Sequence, residues 1–174
     1  MSHKFEIDGV VLKVNIWDTA GQEAYRALNR TFYREAKGGL IAVDMSVPPK
    51  MDSLEYWYKE FTAYADPKCQ VIIIGNKADL EKDPETITVL EEFAQSKQIP
   101  FFEVSALTGI NVDMAMHELM SLITQKYYKD PDNPSSSPLY PKRQIQNVES
   151  VRLSYATIMT DKSSGSTSSC CPKI

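Results

Sequence analysis

Glycine is scarce: the 174 residues hold seven, at 9, 21, 38, 39, 75, 109 and 165. No two stand five apart and none precedes a lysine. The pattern Gly-x-x-x-x-Gly-Lys-Ser/Thr, whose backbone N–H groups cradle phosphates, is therefore absent from the chain. No apolar run approaches the ~18 residues that a membrane-spanning helix needs. The opening MSHKFEID is polar and has no apolar centre of the kind a secretory signal carries. A basic excess is also missing, since 19 Lys and Arg against 23 Asp and Glu leave a net charge of -4. That argues against a nucleic-acid partner. Three cysteines are too few for a disulfide framework, and two of them, Cys170 and Cys171, stand at the extreme C-terminus. Cys69, just before an apolar run, reads as a small core residue, and a reducing, cytosolic setting fits best. His3 and His117 have no neighbours at metal-ligand spacing.

What is present divides in two. From residue 129 onward the chain carries five of the ten prolines and ten serines, in runs such as DPDNPSSSP and SSGSTSS. Such a segment buries too little apolar surface to offset its ordering entropy. Residues 129–174 are accordingly expected to be a flexible, disordered tail, with 144–160 (QIQNVESVRLSYATIMT) a less polar stretch that is a candidate docking element. The tail has net charge +2, so residues 1–128 carry -6.

Residues 1–128 alternate between strand and helix patterns. Phe5 to Ile7, the pair Asp8-Gly9 and the alternating run Val10 to Trp17 predict a β-hairpin. Short apolar runs follow at Gly39 to Val43, Val71 to Ile74 and Phe101 to Val104. Their continuity suits strands covered on both faces. Between them lie helical stripes: Leu54, Trp57, Tyr58, Phe61 and Tyr64; then Val89, Leu90, Phe93 and Ala94; then Val112, Ala115, Leu119, Leu122 and Ile123. The aromatic stripe reads as core rather than as a cofactor box. Strand alternating with helix predicts an α/β, doubly wound, mostly parallel sheet with one antiparallel hairpin strand.

Ligands of such sheets bind outside the carboxyl ends of the strands. Three polar clusters stand there: Asp18-Thr19-Ala20-Gly21-Gln22 after Trp17, Gly75-Asn76-Lys77-Ala78-Asp79 after Ile74, and Ser105-Ala106-Leu107 after Val104. Asp18, beside Gly21, suits a hydrated Mg²⁺, and Gln22 suits the orientation of an attacking water. Asp79 can accept two hydrogen bonds from a guanine edge, where adenine would present an acceptor. Asn76 would brace the loop, the Lys77 stem would lie over the base, and the N–H near Ser105-Ala106 would reach the guanine carbonyl. NKxD or SA alone occurs by chance in turns; DTAGQE has little chance background, and the three in this order carry the reading.

The chain resembles the Ras-superfamily small GTPases, and the Rab branch most closely. WDTAGQE (Trp17 to Glu23), GNKADL (Gly75 to Leu80) and VSALTG (Val104 to Gly109) match the third, fourth and fifth G-boxes. Tyr25 to Leu28 and Phe32 to Arg34 are similar to the Rab switch II region. The likeness covers residues 4–128. It implies GTP/GDP and Mg²⁺ as ligands, GTP hydrolysis as the family's activity, and a switch role in vesicle trafficking. It further implies exchange factors, GTPase-activating proteins, effectors and an escort protein or GDI as partners. Trp17 and Phe32 fall where Rabs carry effector-touching aromatics. The Cys170-Cys171 ending resembles a Rab prenylation signal, which implies peripheral attachment to the cytosolic face of an intracellular membrane. Departures are Ala24 for a usual Arg, Glu35 where Gly is common, and Val43 where Tyr is frequent.

Against the family pattern, the phosphate loop, the first strand, the first helix and the switch I threonine are missing. Losing only four charge-assisted hydrogen bonds to phosphate, each ~1.5–3 kcal/mol, removes ~6–12 kcal/mol and turns ~nM binding into ~mM or none. The resemblance also makes the missing strand central, so its neighbours are expected to show unpaired edges and the chain to aggregate. Three readings stay open: a Rab-type GTPase whose missing segment is encoded upstream; a short form that binds partners without cycling nucleotide; and a nonfunctional fragment.

Overall fold

The computed structural model describes residues 2–19, 26–48, 51–129 and 149–158. The chain opens with a hairpin of β1 (Ser2–Ile7) and β2 (Val10–Thr19), paired antiparallel from Ser2↔Asn15 to Ile7↔Val10. Asp8 and Gly9 form its turn with φ of 50° and 80°, the two positive values that a tight two-residue turn demands. Then follow α1 (Arg26–Tyr33), β3 (Gly38–Asp44), α2 (Met51–Tyr64), β4 (Gln70–Asn76), α3 (Pro84–Lys97), β5 (Phe101–Glu103) and α4 (Val112–Tyr128).

The last element is the unexpected one. Residues Glu149–Ile158, which the sequence placed in a flexible tail beyond a boundary at 129, form β6. The sheet has six strands in the order β1-β2-β6-β3-β4-β5. β6 lies parallel between β2, from Leu12↔Glu149 to Thr19↔Ala156, and β3, from Gly38↔Leu153 to Val43↔Ile158. The expectation of unpaired edges on β2 and β3 is thereby corrected, because the tail itself fills the gap. The physical reason is main-chain accounting. Facing N–H and C=O groups one strand-width apart need partners, and ten residues free of Pro and Gly, with Val151, Tyr155, Thr157 and Ile158 among them, can supply them.

Both faces of the sheet are covered. On one, Leu12, Val14, Leu40, Ala42, Ile72 and Ile74 pack with Ala115, Leu119, Met120 and Ile123 of α4. On the other, Ile41, Val43, Val71 and Ile73 pack with Leu54, Trp57 and Phe61 of α2 and Leu90, Phe93 and Ala94 of α3. The apolar stripes thus face the core as their spacing implied, except that half-buried Val89 stands outside both clusters and Tyr64 is exposed under the Arg30 guanidinium, 4.9 Å from its ring. Gly39 is a packing requirement, since a Cβ there would sit 2.5 Å from Cε1 of Phe61. Helix α3 begins with Asp83 as its cap, accepting from the Thr86 N–H at 2.9 Å, with proline next in the first turn. Among the described residues no helix is long and apolar enough to cross a membrane.

Glu35, the departure from glycine noted above, has φ of 64°. A side chain in this left-handed region costs roughly 1–2 kcal/mol that glycine avoids. Glu35→Gly is therefore expected to stabilise the chain by about 1 kcal/mol, raising its melting temperature by ~2–4 °C. Thermal unfolding followed by circular dichroism measures this, and no gain would place the cost elsewhere.

Candidate functional site

Strands β2, β6, β3, β4 and β5 are parallel neighbours, so their carboxyl ends line one edge of the sheet. Thr19, Ile158, Asp44, Asn76 and Glu103 close the five strands in that order. At a strand spacing of ~4.8 Å, Asp18 stands roughly 14 Å from the β4 end, with two strands between. Asp18, Asp79 and Ser105 therefore share one edge, although they do not meet at a point.

The β4 and β5 loops are bonded together. The Ser105 hydroxyl donates to Oδ1 of Asp79 at 2.5 Å, and Ser105 is fully buried. Oδ1 of Asn76 accepts from the Lys77 N–H at 2.8 Å and from the Ala106 N–H at 3.0 Å. The expected bracing by Asn76 thus has a concrete form: one side-chain oxygen holds two loops while Lys77 takes φ of 68°. The Ala78 N–H donates to the Val104 carbonyl at 3.0 Å, closing the same seam. The Ala106 N–H, expected to be available for a base carbonyl, is committed to Asn76 in this arrangement. Leu107 is 85% exposed beside it, and Leu80 is exposed too.

Lys77 also departs from expectation. Its ammonium pairs with Oδ2 of Asp44 at 2.6 Å. Asp44 was not singled out from the sequence, yet the rule that exposed the other clusters, a polar residue ending an apolar strand, would have found it. Its other oxygen accepts from the Ser46 N–H at 2.9 Å and the Ser46 hydroxyl at 2.7 Å. Burial pushes the Asp44 carboxyl up, but the bonds from Lys77 and Ser46 outweigh it and hold the group below the ordinary carboxylate value.

At the other end of the edge, Trp17 stacks on Phe32 with ring centroids 5.2 Å apart and planes 28° from parallel. Trp17 is 40% exposed, so the two proposed effector aromatics form a surface pair. Thr19 ends β2. Ala20, Gly21 and Gln22, like Cys170 and Cys171, lie outside the described residues.

Comparison with known proteins matches residues 1–125 to the Ras family. The chain belongs to the Ras family. It is 37% identical over 150 residues to Ras-related protein Rab11E of Lotus japonicus, covering 82% of this chain and 67% of that protein. Against human Ras-related protein Rab-4B the identity is 35% over 160 residues, covering 89% and 75%. Against Ras-related protein YPTC6 of Chlamydomonas reinhardtii it is 33% over 138 residues, covering 76% and 63%. Within the family the chain is of the Rab type. It spans about two thirds of the length of the first of these relatives.

The donor set fits the two ends of a guanine nucleotide unequally. A carboxylate held by a buried serine, an amide-braced loop and an apolar rim suit a flat base with N–H donors. At the phosphate end Asp18 is one carboxylate, and no group of three or more His, Cys, Asp or Glu that could hold a metal occurs among the described residues. Mg²⁺ bound by one or two carboxylates relies on substrate phosphates for its remaining ligands. The Gly-x-x-x-x-Gly-Lys-Ser/Thr pattern that supplies their backbone cradle does not occur in these 174 residues.

Replacing Asn76 with leucine leaves two N–H groups unpaired and is expected to cost about 1–3 kcal/mol in urea unfolding, whereas Asn76→Asp keeps the acceptor and much of the stability. A smaller effect comes from the Lys77–Asp44 pair, whose lysine is 44% exposed and therefore screened. Because the folded carboxyl lies below its unfolded value, the contribution is present at neutral pH and is lost as pH falls from the ordinary carboxylate value down through the lowered one. Lys77→Met should be less stable than the parent by up to ~1 kcal/mol at neutral pH. The two should converge only once pH lies below the lowered value of the folded carboxyl, and a gap that persists in stronger acid would assign the loss to packing instead.

Proposed function

We propose that this chain is a Rab-type small GTPase of vesicle trafficking whose guanine-base site is built and whose phosphate site is not, so that nucleotide binding is weak. The observation that carries the reading is the seam between the β4 and β5 loops, where Ser105 holds Asp79 and Asn76 holds both loop backbones. In this reading Asp79 accepts the base N–H groups, and Asn76, Lys77, Ala106 and Leu107 frame the base. Asp18 with Thr19, Ala20 and Gly21 faces Mg²⁺ and the phosphates, with Gln22 placed to orient water. Binding requires Lys77 to exchange Asp44 for the base, and Ala106 to loosen from Asn76. Trp17 and Phe32 present the effector surface. Exchange factors, GTPase-activating proteins and an escort protein or GDI are the remaining partners. Prenyl groups on Cys170 and Cys171 would attach the chain to a membrane from the cytosolic side, two chains giving stable anchoring where one does not.

One observation favours the reading in which the chain binds partners without cycling nucleotide. The sheet is continuous without a phosphate-loop strand, because β6 occupies the gap. A folded body that keeps the Trp17–Phe32 pair can engage partners whatever its nucleotide affinity.

Titration of the 174-residue chain with a fluorescent GDP analogue and Mg²⁺ tests the proposal. Half-saturation at ~mM or weaker is expected. Competition should favour guanosine over adenosine diphosphate, and Asp79→Ala should abolish that preference. Micromolar or tighter binding would overturn the claim of a weak phosphate site. Saturable binding without a guanine preference would overturn the assignment of the base site.

A further inference from the structure

The connection between α4 and β6 is far longer than the gap it closes. Helix α4 ends at Tyr128, and the ammonium of Lys129 donates to Oδ2 of Asp8 at 2.7 Å, beside the turn that starts β2. β6 starts at Glu149, in register with Leu12, four residues along that same strand. The two ends therefore lie on the order of 20 Å apart, which about six extended residues would span. Residues 129–148 supply twenty, with a reach of about 65 Å. Four of them are prolines, at 131, 134, 138 and 141.

β6 differs in kind from its neighbours. β3 (GGLIAVD) and β4 (QVIIIGN) are nearly continuous apolar runs, as interior parallel strands are. β6 (ESVRLSYATI) alternates instead. Its Val151, Leu153, Tyr155 and Thr157 are in register with Val14, Ile16, Leu40 and Ala42, whereas Arg152 and Ser154 match Asn15, Trp17 and Gly39. The strand is thus held by two main-chain ladders and a half-polar sequence, a form of binding that any identical strand can reproduce.

We propose that the gap between β2 and β3 is a strand-acceptor site that takes residues 149–158 of a second copy of this chain, giving a strand-exchanged dimer at high local concentration. The occupant fits by construction, since it is the same ten residues in the same register. The long connection lets it reach a neighbour without distorting α4. A connection of twenty residues holds the chain's own strand at an effective concentration on the order of mM. The closed monomer therefore prevails in dilute solution, and exchange grows as copies are crowded together.

The full chain with Cys69, Cys170 and Cys171 replaced by serine provides the background for the test. Asn15 and Arg152 are register partners on neighbouring strands, at a spacing of ~4.8 Å that suits a disulfide. One chain carries Asn15→Cys, a second carries Arg152→Cys, and the two are mixed, unfolded, refolded together and oxidised. A covalent heterodimer on a non-reducing gel is expected, rising from ~1% at ~10 µM to about half at ~1 mM. Its yield must exceed that of Glu91→Cys, an exposed position on α3, paired with the same Arg152→Cys chain. A single chain carrying both substitutions should close into a disulfide-bonded monomer, which verifies the β2–β6 register. No heterodimer at ~1 mM above the Glu91 background, while the double variant closes, would overturn the proposal. Failure of the double variant to close would overturn it equally.

Discussion

Two parallel ladders, β2 with β6 and β6 with β3, hold this molecule together. The hairpin β1–β2 brings Leu12 and Val14 to the core, while β3, β4 and β5 bring the rest of the sheet. Within the sheet the two halves are joined only through β6, although α4 also packs across Leu12, Val14, Leu40 and Ala42. Without a strand there, the facing main-chain groups of Leu12 to Thr19 and Gly38 to Val43 would lose their partners inside the sheet, and each unpaired buried group costs ~1–3 kcal/mol. Everything that depends on the carboxyl edge, from Asp18 at one end to Ser105 at the other, depends first on that pairing.

The edge itself is asymmetric. Its β4–β5 end is heavily cross-braced: Ser105 to Asp79, Asn76 to two backbone N–H groups, Lys77 to Asp44, and Glu103 paired with Lys82. Such mutual bonding fixes loops before any ligand arrives, which is the arrangement a discriminating polar pocket needs. Lys77 and Ala106 are themselves engaged with the protein, the one through Asp44 and the other through Asn76. The β2 end carries Asp18 and the stacked pair Trp17 and Phe32.

Most of the architecture was legible because its signals are local. Asp8-Gly9 between alternating runs specifies a hairpin, and continuous runs such as Val71 to Ile74 specify interior strands. The stripes Leu54-Trp57-Phe61 and Leu90-Phe93-Ala94 specify one face of a helix each. The strand-end rule gathered Asp18, Asp79 and Ser105 on one edge, and three polar clusters sufficed for that. Asp44 went unnoticed because no motif surrounds it, although it ends an apolar strand in the same way. The greatest gap was β6. Its ten residues are half polar, lie between Pro141 and a serine-rich run, and show an alternation too weak to outweigh that setting. What makes them a strand is the vacancy between β2 and β3, a long-range fact that no window of sequence contains. The stretch 144–160 did stand out as less polar than its surroundings, which was the one local trace.

Docking of β6 also changes how far the end of the chain can travel. Ile158 closes the strand at the carboxyl edge, and Cys170 follows twelve residues later. Twelve extended residues reach about 40 Å, whereas the forty-one from Lys129 to Cys170 would reach about 140 Å. The inserted strand thus acts as a cleat on a rope, taking up the slack and leaving a short lead. Any load fastened at Cys170 is kept within a molecule's width of the rim that bears Trp17 and Phe32.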